Sequence, residues 1–220
     1  MTASEKTKRS YKSTRRQVQA RQTRHQIVEA ARRLFTERGY SGATISAIAE
    51  DAGVAVETVY AIFGNKKAIL SHLVDVSVVG DDEQIPLLER PGPQAVKSEH
   101  DQHKQVQMFA RDIGAIMARM APLFEVMNIA SKTEPEIADL LNRLLQERLQ
   151  GMQFFVNALA GNGSLREGLN PGDAAETVWA ITSAEIFSLL TVKRGWSGSQ
   201  YEVWLANTLT RLLLPEGGNP

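Results

Sequence analysis

The chain has no cysteine. That excludes disulfide bonds, thiol catalysis and every Cys-based zinc finger, and it suits a reducing, cytoplasmic setting. It has no net charge either, since 25 Lys and Arg offset 25 Asp and Glu. Aromatic residues make up only 6%. No stretch approaches about 18 uninterrupted apolar residues, so no membrane-spanning segment and no membrane partner are predicted. The basic N-terminus lacks the apolar run of a signal peptide. No segment alternates strictly enough for a strand, and no internal repeat is visible. G-x-S-x-G, P-loop and H-E-x-x-H signatures are absent, so the reading is of a non-enzyme with no cofactor and no metal. The pair His100-x-x-His103 sits at a polar helix start and reads as a solvated turn.

What is there is enough apolar material for a core, 43% of 220 residues, and a hidden charge asymmetry. Residues 1–79 carry 13 Lys and Arg against 7 Asp and Glu, whereas residues 80–220 carry 12 against 18. A basic half beside an acidic half suggests a DNA-binding head and a body that DNA repels.

Within the basic half, Thr44 is suited to cap a helix. Ile45, Ile48, Ala49 and Ala52 follow at i, i+3, i+4 and i+7, one helical face. Gly53 marks a turn through positive φ. Val56, Val59 and Phe63 then face inward at i, i+3 and i+7, leaving Glu57, Thr58 and Tyr60 outward. Apolar helix, glycine turn and short helix with outward hydroxyls together predict a helix-turn-helix whose second helix enters a major groove.

Residues 22–74 resemble the DNA-binding domain of the tetracycline-repressor (TetR) family. Three blocks carry the resemblance: Ile27 through Phe35 with Arg38-Gly39-Tyr40; Thr44-Ile45 through Ala49; and Gly53-Val54 with Thr58-Val59-Tyr60, Phe63, Lys66 and Leu70. One departure is Ile62, where many members carry a polar or aromatic residue, which implies the loss of one backbone contact. The resemblance implies that Val56, Glu57, Thr58 and Tyr60 belong to the recognition helix. By chemistry, Thr58 and Tyr60 offer hydroxyls to phosphates or base edges, and Val56 can meet a thymine methyl. Glu57 either accepts from cytosine N4 or simply suits a helix start. Thr44, Ser46 and Lys66 are the expected phosphate contacts.

Around this head, residues 1–20 are basic and nearly devoid of apolar side chains, so a disordered tail is expected there. It reads either as a solvated tail or as an arm reaching phosphates. The head is placed at residues 21–79, with Asn65 capping a fourth helix. Residues 80–98 read as an acidic, proline-rich loop with a turn of helix at Leu87-Leu88. Residues 80–220 form the body. Its helices are expected from Asp101 to Met120, broken by Pro122; from Leu123 to Ala130; from Glu134 to Leu159 after a Thr133 capping box; from Gly172 to Val192; and from Ser199 to Leu214 after Ser197. The fold class is all-α, with about nine helices, and the family resemblance implies an Ω-shaped homodimer.

The resemblance also implies a ligand pocket in the body. Met108, Asp112, Met117, Phe124, Met127, Phe155 and Trp179 are the candidate lining, because Met and Phe suit an irregular apolar cavity. Asp112, Arg119 and Glu125 can orient a ligand there. Small or apolar residues on the last two helices, Ala180, Ala184, Trp204, Leu205, Leu209 and Leu212, suggest a dimer seam. The function expected is a dimeric regulator that binds near-palindromic double-stranded DNA and is released from it by a small, largely apolar effector. The alternative is an architectural DNA-binding protein without effector. A repressor is expected, an activator being the less frequent sign of regulation.

Overall fold

The computed structural model describes residues 3–81, 83 and 85–216, with side chains from residue 18 onward. Among the described residues every regular element is helical. The chain divides into two compact units, residues 1–74 and 75–220. The division falls inside the fourth helix rather than after Val79.

The first unit begins with α1 (Ala3–Gly42), in which Gly39 at φ 69° and ψ 174° interrupts the regular helix. The backbone from Ala3 to residue 20 is helical, contrary to the disordered tail expected. Its Lys, Arg, Gln and Ala residues are good helix formers, and extending an existing helix needs no new nucleus. An arm contacting phosphates through side chains before residue 18 lies outside the described residues. Ile27, Ala31, Leu34 and Phe35 are buried, and Tyr40 stacks on Phe35 with ring centres 5.7 Å apart. They pack with α2 (Ile45–Asp51), α3 (Val56–Phe63) and the first turns of α4 (Lys66–Val79). Asn65 caps α4, its Oδ1 accepting from Ala68 N at 2.8 Å.

The second unit is a helical bundle. The segment read as a loop holds a 3₁₀ turn at Leu87–Glu89 and then α5 (Pro91–Ser98), whose Pro91 starts a helix where its missing N–H costs nothing. Next comes α6 (Gln102–Ala130), which runs through Pro122 without a break. Proline inside a helix costs about 3 kcal/mol, but residues on both sides of it, Met117, Met120, Leu123, Phe124 and Met127, are buried and hold the helix together. The proline itself faces out.

The capping box expected at Thr133 is not formed. Its hydroxyl donates back to Ala130 O, and Glu134 is the N-cap of α7 (Pro135–Asn162) without a side-chain bond. The helix expected over Gly172–Val192 is interrupted. α8 (Pro171–Ile181) stops where Thr182 donates to Val178 O, and Ser183 caps α9 (Ala184–Ser188). Two adjacent hydroxyl residues that bond local backbone account for the break. A π turn follows at Leu189–Lys193. Ser197 and Gln200 form the expected capping box of α10 (Gly198–Leu213). Counting residues 171–193 as one interrupted helix, the described residues form nine α-helices.

α10 lies along α6 and buries Tyr201, Leu205, Leu209 and Leu213. Two stretches, Gln102–Ala130 and Pro171–Lys193, have the length and mean hydropathy of a membrane-crossing helix, which counting uninterrupted apolar residues did not reveal. In α6 that apolarity is spent on the core of the bundle.

Candidate functional site

The turn between α2 and α3 is built as its residues require. Ala47 N donates to Thr44 Oγ1 at 3.1 Å, so the Thr44 hydroxyl ends the chain's approach and opens α2. Gly53 adopts φ 67°, where a Cβ would strain the backbone. Val54 N then donates to Ala49 O at 3.0 Å, folding the turn back on α2. α3 is eight residues long, with Glu57 in its first turn, and Gly64 closes it at φ 76°.

α3 has two unlike faces. Val59 and Phe63 are buried, the latter with the Arg24 guanidinium 4.8 Å from its ring centre. On the other side Tyr60 is 52% exposed, Glu57 is exposed, and Val56 and Thr58 are half-buried. Thr44 and Ser46 are exposed at the start of α2. α3 therefore presents a phenol, a hydroxyl, a carboxylate and a methyl-bearing side chain. These are the groups that meet base edges and phosphates in a major groove.

Lys66 is held inside the unit. Its Nζ donates to Tyr40 O at 2.7 Å and lies 4.1 Å from the centre of the Tyr40 ring. This clamp fixes the position of its ammonium.

The candidate pocket residues separate. Met117, Phe124, Met127 and Phe155 are buried, with Phe155 stacked on Phe109 at 3.7 Å between ring centres. Met108 is half-buried. Asp112 is turned to the start of α5: Oδ1 accepts from Arg111 at 3.2 Å, and a Cβ on Gly92 would fall 2.9 Å from Oδ2. Arg119 is likewise committed, donating to Ser77 O at 2.7 Å and to Val78 O at 3.3 Å in the last turn of α4. Trp179 donates through Nε1 to Leu145 O, and the Arg148 guanidinium lies 4.7 Å from its ring centre.

The proposed dimer seam needs correction. Leu205 and Leu209 are fully buried against the chain's own helices, and Ala184 is buried as well. Ala180 is exposed, while Trp204 and Leu212 are half-buried. Missed by the sequence reading are Leu189, Val192 and Val203, apolar side chains left 56%, 71% and 61% exposed. Also missed is Arg148: a lone arginine on a polar helix face reads as solvated, and nothing in its neighbours signals otherwise.

Residues 27–73 match the family described as bacterial regulatory proteins, tetR family. The HTH-type transcriptional regulator TtgR of Pseudomonas putida is 44% identical over 57 residues, 26% of this chain. The chain thus covers only 27% of that relative's length. The HTH-type transcriptional repressor BepR of Brucella suis biovar 1 is 26% identical over 175 residues, 78% of each protein. Among solved structures, the transcriptional regulator FadR of Bacillus subtilis, in complex with stearoyl-CoA, superposes with a TM-score of 0.61 at 20% identity, over 84% of this chain and 96% of that one. The matched head agrees with the turn geometry: residues 27–73 carry the DNA-binding domain of the tetR family of bacterial regulatory proteins.

Proposed function

We propose that the chain is a homodimeric, sequence-specific transcriptional regulator that a small ligand releases from DNA. The observation that carries this is the two-sidedness of α3, with Val59 and Phe63 buried and Glu57, Thr58 and Tyr60 turned outward on a capped helix-turn-helix. Thr58, Tyr60 and Val56 read bases; Thr44, Ser46 and Lys66 hold phosphates. One eight-residue helix reads too little DNA alone, so two copies bind a near-palindromic operator with one helix in each of two successive major grooves. The exposed apolar residues Leu189, Val192 and Val203, with Ala180, Trp204 and Leu212, are the surface on which a second copy docks.

Residues 80–220 serve as the effector-binding and dimerisation domain, and residues 21–79 as the DNA-binding domain. The stearoyl-CoA held by the Bacillus subtilis neighbour, with its long apolar acyl chain, supports an effector with apolar surface here. The protein acts in the cytoplasm and needs no catalytic activity. Release follows if the effector prefers the arrangement that cannot bind DNA.

Fluorescence anisotropy with DNA from upstream of the protein's own gene, against random DNA at the same salt, tests the reading. A specificity ratio of about a thousand or more is expected. A ratio near one would instead favour an architectural DNA-binding protein.

A further inference from the structure

In the second unit, Arg148 of α7 reaches the break between α8 and α9. One terminal nitrogen donates to Trp179 O and lies 3.5 Å from Thr182 Oγ1. The guanidinium face lies against the Trp179 ring. These contacts give the side chain the role of a cation at a helix C-terminus. They leave its Nε buried with no hydrogen-bond partner.

Tyr201 of α10 is in the same condition. Its side chain is completely buried, edge-on to Phe187 with ring centres 4.8 Å apart, and its hydroxyl has no partner. Burial draws the Arg148 pKa down to about 10 and raises that of Tyr201 to about 12, and in each case the other group opposes the shift. Both side chains border the same segment: Arg148 reaches Trp179 O and Thr182 at the α8–α9 break, and Tyr201 packs on Phe187 of α9. Among the described residues no carboxylate forms an ion pair with Arg148; Glu185 acts on it only through space. A part-buried cation without an ion-pair partner, its Nε buried and unpaired, together with a buried hydroxyl without a partner, is an arrangement folded proteins rarely keep. A water molecule would satisfy donors but leave the charge uncompensated. An anionic acceptor does both.

We propose that Arg148 and Tyr201 form the head-group site of the effector, and that the effector is a monocarboxylate with an apolar tail. One carboxylate oxygen accepts from Arg148 Nε and the other from the Tyr201 hydroxyl. One negative charge matches the one cation. Arg148 is only partly buried, so part of its guanidinium side chain meets solvent. Met152, whose sulfur lies 3.6 Å from Thr182 Oγ1, and the buried Phe155 and Phe187 offer apolar surface for the tail. This assignment rests on the reading of the chain as an effector-controlled regulator, and it names the chemical class of that effector.

Calorimetry on the full chain tests it, with straight-chain carboxylates from butanoate to dodecanoate and the matching primary alcohols as probes. At least one acid is expected to bind about tenfold or more tightly than its alcohol. Tyr201→Phe is expected to weaken that acid severalfold, yet to raise the melting temperature of the acid-free protein, because it deletes a buried unpaired hydroxyl. A purely structural tyrosine would not separate those two readouts. Arg148→Met is expected to abolish the preference for acid over alcohol. Should its loss as a helix cap unfold the protein, Arg148→Lys keeps the charge, removes Nε, and is expected to lower acid affinity in a folded chain. Failure of every acid to bind, equal affinity for acids and alcohols, or unchanged acid affinity in Tyr201→Phe would overturn the proposal. DNA affinity measured without acid keeps the two readings apart. Acid binding without DNA binding would support this site and overturn the regulator; DNA binding without acid binding would do the reverse.

Discussion

The Lys66 ammonium donates to the carbonyl of Tyr40 at 2.7 Å while resting over the ring of the same residue. One side chain from the first turn of α4 thereby pins the residue that follows Gly39, and the approach to α2 with it. A charged hydrogen bond and a cation–π contact act together. Lys66→Met is expected to lower unfolding stability by about 1–2 kcal/mol in denaturant titrations. The same change should flatten the slope of log K against log salt for any DNA by about 0.9, one phosphate contact. Unchanged stability would leave the clamp without weight; an unchanged slope would remove Lys66 from the DNA face.

Tyr60→Phe and Thr58→Ala act on the outward side of α3. Each should weaken operator binding by roughly 1–3 kcal/mol and relax specificity at the position it reads. Melting temperatures should stay near the parent's, because Val59 and Phe63 hold the helix from its other side. Equal losses on operator and random DNA would make these phosphate contacts instead of base contacts.

Val203 and Leu209 lie on one helix, and their fates under substitution should differ. Val203→Asp, on the exposed side, is expected to yield folded monomers by analytical ultracentrifugation. Leu209→Asp places a carboxylate at a fully buried position, and circular dichroism should report loss of the fold. A Val203→Asp dimer would move the interface off this face.

Asp81 accepts two hydrogen bonds from the Arg90 guanidinium, at 2.6 Å and 2.7 Å, and its pKa is held down to about 2, chiefly by them. A carboxylate whose folded pKa is depressed stabilises above its ordinary value of 3.8, and that contribution disappears as pH falls toward about 2. Carbon NMR should show Asp81 titrating well below other exposed aspartates. Arg90→Gln should return it to the ordinary range.

The head was legible because its signals are local. Thr44, Gly53 and the spacing of Val56, Val59 and Phe63 specify cap, turn and buried face within twenty residues, and the structure forms each of them. The body was legible only as a set of helices. Leu209 and Leu212 look alike in sequence, since a core and an interface both demand apolar side chains. Only the packing of α10 on α6 tells which is which. The break at Thr182-Ser183 went unseen because neither residue is a strong helix breaker; their hydroxyls act through bonds made in the folded chain. Pro122 misled in the opposite sense, since buried neighbours on both sides outweigh its local cost.

α4 is closed at both ends. Asn65 satisfies a free amide of its first turn, and Arg119 takes two carbonyls of its last, so each end has fewer of the loose groups from which helices usually fray. A helix that unravels at its tips absorbs a push by melting a turn. This one is tied at both tips, so its end turns resist that melting.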